Sequence, residues 1–167
     1  VIDYPGDIAI TIFLLGCNFR CGFCYNPDLV VKEFSAGFSE AYVLDFLKSR
    51  HGKLDAVCIT GGEPLMTLDF DFVRKIKGLG FKVKIDTNGS FPNRLKEMIN
   101  EGLVDYVAMD IKGSRDKYSK IVGVEANLNK IEESIKMIHD FGAYEFRTTV
   151  VSRLHDVNSV VSMGKWL

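Results

Sequence analysis

Residues 8–24, with the sequence IAITIFLLGCNFRCGFC, decide what kind of fold this chain can form. Residues 8–15 are an uninterrupted β-branched and aliphatic run, which is typical of a buried parallel strand. Three cysteines follow within one short loop, at Cys17, Cys21 and Cys24. Three thiolates can hold three irons of a [4Fe–4S] cube and leave the fourth iron open to a small molecule. The segment therefore predicts a strand that ends in a reactive metal site.

Length and composition fit one globular domain. The chain has 167 residues, a formal net charge of −1 and 47% hydrophobic residues. This charge offers no basic surface for nucleic acid, and no apolar stretch approaches the ~20 residues of a transmembrane helix. Four cysteines, three of them bunched, are not a secreted disulfide framework. We expect a single domain over residues 1–167, in the cytoplasm, with no nucleic-acid or membrane partner.

One or both ends of the chain are expected to be trimmed. The sequence opens with Val1 instead of methionine and stops at Leu167, inside a helical pattern.

The rest of the chain alternates between strand and helix patterns. Strands are predicted at residues 8–15, 55–60, 81–86, 103–110 and 144–151, and helices at residues 39–50, 69–79, 92–101, 127–141 and from Asp156 onward. Strict alternation favours a parallel sheet covered by helices, and right-handed crossovers leave an open sheet or a partial barrel. In the third strand the lysines alternate with apolar residues, so we expect Lys82 and Lys84 to face solvent.

Residues that do not suit a core follow each of the first four strands. They are Cys17 after the first strand, Gly61-Gly62-Glu63-Pro64 after the second, Asp86-Thr87-Asn88-Gly89 at the end of the third, and Asp110 and Lys112 at the end of the fourth. In parallel α/β folds the carboxyl ends of the strands converge, and ligands bind there. The sequence therefore predicts one site built from four separate segments.

The residue types at this site describe a ligand with an amino-acid end and a hydroxylated part. The two glycines allow a ligand to approach the backbone closely. Glu63 offers an acceptor for a ligand ammonium, and Pro64 stiffens the turn. Asp86 and Asp110 suit ribose hydroxyls, an amine or a hard cation, and Lys112 suits a carboxylate or a sugar oxygen.

Simpler interpretations stay open for several residues. The cysteine loop could be a structural zinc site completed by Cys58 or His51, although zinc ligands usually come in two paired halves. Asp86 and Asp110 could be helix caps or turn formers, and Asn88-Gly89 could be a tight turn. Arg147 lies in a strand pattern that leaves its direction undecided. Cys58 is expected in the core, and the three histidines are expected in solvent: His51, His139 and His155.

Residues 17–24 and 61–64 together resemble the radical S-adenosylmethionine (SAM) superfamily, in which an aromatic residue such as Phe23 precedes the third cysteine. The activating proteins of glycyl radical enzymes are similar at four further segments: Asp3-Tyr4-Pro5-Gly6, Asn26-Pro27, residues 86–89 and residues 110–112. Those that serve anaerobic ribonucleoside-triphosphate reductase are nearest, and those of pyruvate formate-lyase come second. The resemblance covers roughly residues 3–151.

This resemblance implies an α/β fold, a partial (β/α)6 barrel with parallel strands, here truncated after the fifth strand. It implies that the three thiolates hold a [4Fe–4S] cluster and that SAM chelates the fourth iron. One electron from the cluster then gives methionine and a 5′-deoxyadenosyl radical, which takes a hydrogen from a glycine of the partner. Flavodoxin or ferredoxin is the implied electron donor.

The resemblance also implies roles for individual residues. The residues implied to contact SAM are Phe23, Gly61, Gly62, Glu63, Pro64, Asp86, Thr87, Asn88, Asp110 and Lys112. A monovalent cation is implied between Asp86, Thr87, the Ala108 carbonyl and Asp110, as in the pyruvate formate-lyase branch. Contacts with the substrate fall to Asp3, Tyr25 and Arg147, although Tyr25 stands where these proteins often have histidine.

Two other functions remain open. One is a radical SAM reaction on a small molecule or peptide, such as deazapurine synthesis. The other is a zinc-binding module without redox chemistry.

Overall fold

The five described strands form one parallel sheet. The computed structural model describes residues 3–30 and 37–167. Each strand lies beside its neighbours in sequence, in the order β1 to β5. The strands are β1 (Ala9–Leu14), β2 (Ala56–Gly61), β3 (Lys82–Thr87), β4 (Tyr106–Asp110) and β5 (Tyr144–Arg147). The predicted parallel α/β sheet is therefore confirmed.

Seven helices lie between or after these strands in the described ranges. They are α1 (Glu40–Ser49), α2 (Pro64–Thr67), α3 (Phe70–Gly78), α4 (Pro92–Asn100), α5 (Tyr118–Val122), α6 (Leu128–Phe141) and α7 (Val157–Trp166), and a short 3-10 turn spans Pro27–Leu29. The side chains of Asp69, Asn127 and Asp156 cap α3, α6 and α7 as acceptors. The sequence missed α2 and α5 because helices this short show no apolar periodicity. No helix in residues 3–30 or 37–167 has the length and apolarity to cross a membrane.

The two faces of the sheet differ in chemistry. One face carries Val57, Ile59, Val83, Ile85 and Val107, all without solvent exposure and packed in the core beneath the helices. Alternation along each strand points the intervening side chains the other way. We call this second side the polar face, defined by Cys58, Lys84, Asp86, Ala108, Asp110, Glu145 and Arg147.

The fifth strand is shorter than predicted. It ends at Arg147 and not at residue 151, because β4 ends at Asp110, directly opposite Arg147. Beyond this pair no described strand offers hydrogen-bond partners. Residues 151–155 instead form a turn in which the Val151 carbonyl accepts from the backbone N–H groups of Leu154 and His155.

Lys84 is buried, contrary to the expectation that it faces solvent. Its exposed fraction is 1%, whereas Lys82 on the same strand is exposed and pairs with Asp7 at 2.9 Å. Lys84 points to the polar face, where Asp86 supplies a counter-charge at 3.0 Å. A lysine can be fully buried when it is paired in this way.

Candidate active site

The glycine turn after β2 packs directly on the start of the cysteine loop. The backbone N–H of Gly62 donates to the Leu14 carbonyl at 2.9 Å, and that of Glu63 donates to the Gly16 carbonyl at 2.8 Å. A Cβ atom on Gly61 would lie 2.2 Å from the Leu14 carbonyl oxygen, and a Cβ atom on Gly62 would lie 2.1 Å from the Gly16 carbonyl oxygen. The two glycines therefore allow two backbone segments to touch, which is a reason for glycine beyond the predicted approach of a ligand.

Glu63 is wholly buried and joins the ends of β2 and β3. Its carboxylate accepts from the Thr87 hydroxyl at 2.8 Å, the Asn88 N–H at 2.6 Å and the Leu65 N–H at 3.0 Å. Burial raises the pKa of Glu63 to about 7, although these donors oppose the shift. Helix α2 begins at Pro64, directly after Glu63, and the Glu63 side chain caps its first turn. The predicted contact of Glu63 with a ligand ammonium stays a prediction.

Asn88 ties β3 to the cysteine loop. Its side-chain amide donates to the Asn18 side-chain oxygen at 2.9 Å, and the Asn18 amide donates to the Ser90 hydroxyl at 2.9 Å. The same Asn88 amide lies 4.0 Å from the Cys17 sulfur. Asn88 is buried, so it holds the loop in place from the protein side.

The other side of the loop rests on α5 and the turn before α7. Phe19 is buried, and its ring is edge-on to the Tyr118 ring with 6.4 Å between the ring centroids. The Arg20 N–H donates to the Val122 carbonyl at 2.8 Å. The Phe23 ring packs edge-on against His155 at 6.3 Å. Both flanks of the loop are thus anchored, which limits the positions that its sulfur atoms can take.

His155 is buried, contrary to the expectation that it faces solvent. Its Nδ1 accepts from the Val151 N–H at 3.0 Å, so its Nε2 carries the proton and donates to the Lys112 carbonyl at 2.9 Å. The turn at residues 151–155 brings the ring into this position. His155 therefore links the backbone of Lys112 to Phe23 in the cysteine loop.

The three loop cysteines are free and half-buried. The Phe19 N–H lies 3.4 Å from the Cys17 sulfur, and hydrogen bonds of this kind tune iron–sulfur clusters. Burial raises the pKa of Cys17 and Cys21, while the positive charge of Lys112 opposes the shift in both. Cys58 is buried away in β2, as predicted.

These thiols fit a cluster better than a single ion. Within residues 3–30 and 37–167, no three Cys, His, Asp or Glu side chains converge closely enough to hold one metal ion. A [4Fe–4S] cube instead places each thiolate on a different iron. The chemistry of the loop therefore suits a cluster held by Cys17, Cys21 and Cys24.

The polar face brings the predicted charged residues together. The Arg147 guanidinium donates to Asp110 at 3.1 Å and to Asp86 at 3.2 Å. Lys112 donates to the other oxygen of Asp110 at 2.9 Å, and Lys84 lies 3.0 Å from Asp86. Arg147 thus faces the site, which decides the direction that the strand pattern left open.

The two carboxylates predicted to hold a monovalent cation are paired with cationic side chains of the protein. Arg147 bridges Asp86 and Asp110, and each carboxylate has a lysine on its other oxygen. The Thr87 hydroxyl donates to Glu63 and accepts from the Gly89 N–H at 3.1 Å. Cationic side chains of the protein therefore lie against both carboxylates that an added cation would need.

Two predicted substrate residues lie outside this cluster. Asp3 is exposed next to Tyr4, whose ring packs against Tyr106 at the start of β4. Among the hydrogen bonds and ion pairs of the described ranges, none joins Asp3 to the cysteine loop. Tyr25 is 97% exposed beside Cys24, so its predicted contact with a substrate is sterically open.

Three residues with clear roles at the site were missed from the sequence: Asn18, Lys84 and His155. The two-residue spacing of Lys84 and Asp86 on one strand was an available signal, because it places both on the same face. Nothing in the sequence around His155 indicated its burial. The burial results from the turn at residues 151–155, whose first residue was predicted to belong to the fifth strand.

The comparison with known families places the chain in one of them. The sequence model of the Radical SAM superfamily matches residues 11–156. The chain therefore belongs to the Radical SAM superfamily. Membership implies a [4Fe–4S] cluster and SAM, which agrees with the chemistry of the cysteine loop.

Similar proteins point to a group within this superfamily. A protein of Methanocaldococcus jannaschii named as a glycyl-radical enzyme activating enzyme is 36% identical over 98% of this chain and 70% of its own length. The pyruvate formate-lyase-activating enzyme of Listeria monocytogenes is 30% identical over 86% of this chain and 58% of its own length. The 7-carboxy-7-deazaguanine synthase of Methanospirillum hungatei is 36% identical, but over 53% of this chain and 36% of its own length.

Solved structures confirm the fold. The chain matches anSMEcpe with bound AdoMet at a TM-score of 0.72 and 16% identity, over 95% of this chain and 47% of that one. At this identity the likeness shows a common fold, the partial barrel of radical SAM enzymes. The sixth strand of a (β/α)6 barrel is not among the described residues.

Proposed function

We propose that this protein cleaves SAM reductively and generates a glycyl radical on a partner enzyme. The observation that carries this proposal is the cysteine loop, which is anchored to the ends of β2 and β3 through Glu63 and Asn88 at the same edge of the parallel sheet as Asp86, Asp110 and Arg147. Ligands bind at this position in parallel α/β folds. The relatives named as activating enzymes support the same type of reaction.

The residues of this chain position the reactants, and the cofactors supply the chemistry. When bound, a reduced [4Fe–4S] cluster supplies the electron that splits SAM into methionine and a 5′-deoxyadenosyl radical. Cys17, Cys21 and Cys24 would hold the cluster. Backbone groups of residues 61–64 lie next to the loop and would meet the amino-acid end of SAM, while the charged side chains at the ends of β3 to β5 would meet its carboxylate and ribose.

The proposed partner is an anaerobic ribonucleoside-triphosphate reductase. This choice rests on the likeness of residues 3–151 to the activating proteins of that reductase, and pyruvate formate-lyase is the second choice. The exposed ring of Tyr25, directly after Cys24, offers the partner a contact close to the cluster. An iron with an open position is sensitive to oxygen, which favours an anaerobic cytoplasm with flavodoxin or ferredoxin as the electron donor.

The test is a glycyl radical on the partner. Anaerobically reconstituted protein should be brown, hold about four irons, and form 5′-deoxyadenosine from SAM after reduction. Addition of the reductase should give a glycyl radical signal in electron paramagnetic resonance, with one 5′-deoxyadenosine formed for each radical. Cleavage of SAM that leaves no glycyl radical on the reductase or on pyruvate formate-lyase would reject the activating function.

The second candidate is a radical SAM reaction on a small molecule. It is favoured by the partial match to 7-carboxy-7-deazaguanine synthase. Incubation with a deazapurine precursor, followed by mass spectrometry of small molecules, separates the two. Turnover of a free metabolite that does not require a partner protein would establish this second function.

A further inference from the structure

The buried ammonium of Lys84 has no assigned role in SAM chemistry. It lies 3.0 Å from one oxygen of Asp86 and 3.4 Å from the carboxylate of Glu145. Only 1% of its side chain is exposed, against 13% for Asp86. Removing a lysine from water is costly, so two carboxylates within 3.4 Å make this burial possible.

The sheet register creates the space for this ammonium. Asp86 pairs with Ala108 across β3 and β4, and Ala108 pairs with Glu145 across β4 and β5. Ala108 therefore stands between the two carboxylates on the polar face, and its side chain is a single methyl group. Lys84 lies two residues before Asp86 on the same face of the sheet, and its ammonium contacts both of these carboxylates.

The charges of this network balance without an added ion. Three carboxylates, those of Asp86, Asp110 and Glu145, contact three cations, those of Lys84, Lys112 and Arg147.

We propose that Lys84 is a positioning residue whose ammonium, together with the Arg147 guanidinium that bridges Asp86 and Asp110, replaces the monovalent cation of the pyruvate formate-lyase branch, so that this protein binds SAM without sodium or potassium. Lys84 pairs with one oxygen of the Asp86 carboxylate, and Arg147 pairs with the other. Arg147 in turn connects Asp86 to Asp110, the pair of carboxylates to which the resemblance assigned the cation. This inference rests on the proposed function, because it assumes that SAM binds beside these carboxylates.

The first test compares salts. Binding of SAM to the anaerobically reconstituted protein is measured by equilibrium dialysis in choline chloride and in potassium chloride at equal ionic strength. We expect the same dissociation constant in both salts. Binding by the unaltered protein that requires potassium or sodium would overturn the proposal.

Variants of Lys84 test the charge itself. Lys84→Ala removes the ammonium and opens space beside Asp86, so SAM binding in choline chloride should weaken by about tenfold. Potassium or ammonium ions should restore it. Lys84→Met fills the same space without a charge, and potassium should not restore its binding. Wild-type affinity of Lys84→Ala in choline chloride would contradict the proposal.

Lys82→Met is the matched control. Lys82 belongs to the same strand but is exposed and pairs with Asp7 at the surface. This variant should bind SAM like the unaltered protein in both salts.

A second readout does not depend on SAM. Potassium should raise the midpoint of thermal unfolding of Lys84→Ala relative to choline, and should leave that of the unaltered protein unchanged. If the unaltered protein holds its cluster but binds no SAM in either salt, the proposed function fails. The thermal measurement still decides the role of Lys84, since an equal response of both proteins to potassium would refute it.

Discussion

The side-chain amide of Asn88 donates to the side-chain oxygen of Asn18 at 2.9 Å and joins the end of β3 to the cysteine loop. The two residues are 70 positions apart in the chain. Asn88 also donates its backbone N–H to the buried carboxylate of Glu63. One asparagine therefore connects the second strand, the third strand and the loop that carries the thiols.

Asn18→Ala should loosen this connection. The substitution removes the acceptor of the Asn88 amide and the donor to Ser90, which should lower the free energy of unfolding by about 1 kcal/mol. The cysteine loop should then hold its cluster less firmly, so iron should be lost faster to a chelator. Asn129→Ala, at an exposed position of α6, is the control and should lose iron at the rate of the unaltered protein.

Each loop cysteine should be essential for iron, whereas Cys58 should not be. Cys17→Ala, Cys21→Ala or Cys24→Ala removes one of three cluster ligands, and we expect loss of the brown colour and of 5′-deoxyadenosine formation. Cys58→Ala is a matched control within the core, because Cys58 is 1% exposed in β2. It should keep its iron and lose only about 1 kcal/mol of stability. Full iron content in all three loop variants would refute the cluster assignment.

Gly62→Ala should be strongly destabilising. A Cβ atom at position 62 would lie 2.1 Å from the Gly16 carbonyl oxygen, so the turn after β2 would separate from the cysteine loop. We expect a loss of about 2 kcal/mol or more in the free energy of unfolding, measured by urea denaturation. A Cβ atom added at Gly78 in α3 would have no neighbour within 4 Å, so Gly78→Ala is the control. This control should stabilise the protein by about 0.5–1 kcal/mol, because alanine favours the helix.

Glu63 should make stability fall as pH rises. Burial raises its pKa from 4.5 to about 7 in the folded protein, so the folded state holds a proton that the unfolded state has already lost. The contribution of Glu63 is complete below pH ~4.5 and is lost as pH rises to about 7, a decline of about 3 kcal/mol.

Glu63→Gln cannot titrate, so this part of the decline should disappear from urea unfolding measured across the same pH range. The variant should also be less stable at low pH, since its amide cannot accept from all three donors. Glu97→Gln, at an exposed position of α4, should keep the slope of the unaltered protein. An equal slope in Glu63→Gln would show that the buried carboxylate does not titrate in this range.

Tyr25→Ala should separate partner recognition from SAM cleavage. The ring is 97% exposed and makes no described contact with the core, so its loss should not change stability or iron content. Slow 5′-deoxyadenosine formation without a partner should also persist. Formation of the glycyl radical on the reductase should decline, as measured by electron paramagnetic resonance. Normal radical formation in this variant would remove Tyr25 from the proposed contact surface.

The local sequence alone determined the alternation of strands and helices and the position of the cysteine loop. Apolar runs, glycines and caps act over a few residues, so the bounds of β2 and β3, the end of β4 and the long helix α6 were predictable from pattern to within about one residue. The beginning of β4 was not: it lies at Tyr106, three residues after the predicted start. The convergence of Cys17, Glu63, Asp86 and Asp110 also followed from the sequence, because parallel strands place their carboxyl ends together. The spacing of Cys17, Cys21 and Cys24 then indicated a [4Fe–4S] cluster.

Only the tertiary structure decided which polar residues are buried and what they contact. The alternation in β3 put Lys84 on a face that appears hydrophilic in sequence, yet its side chain is 1% exposed and its ammonium lies against Asp86 of the same strand and Glu145 of β5. His155 became buried because β5 stops where β4 stops, which no local pattern in residues 144–151 reveals. Burial depends on neighbours distant in sequence, and the cost of removing a charge from water is set by those neighbours.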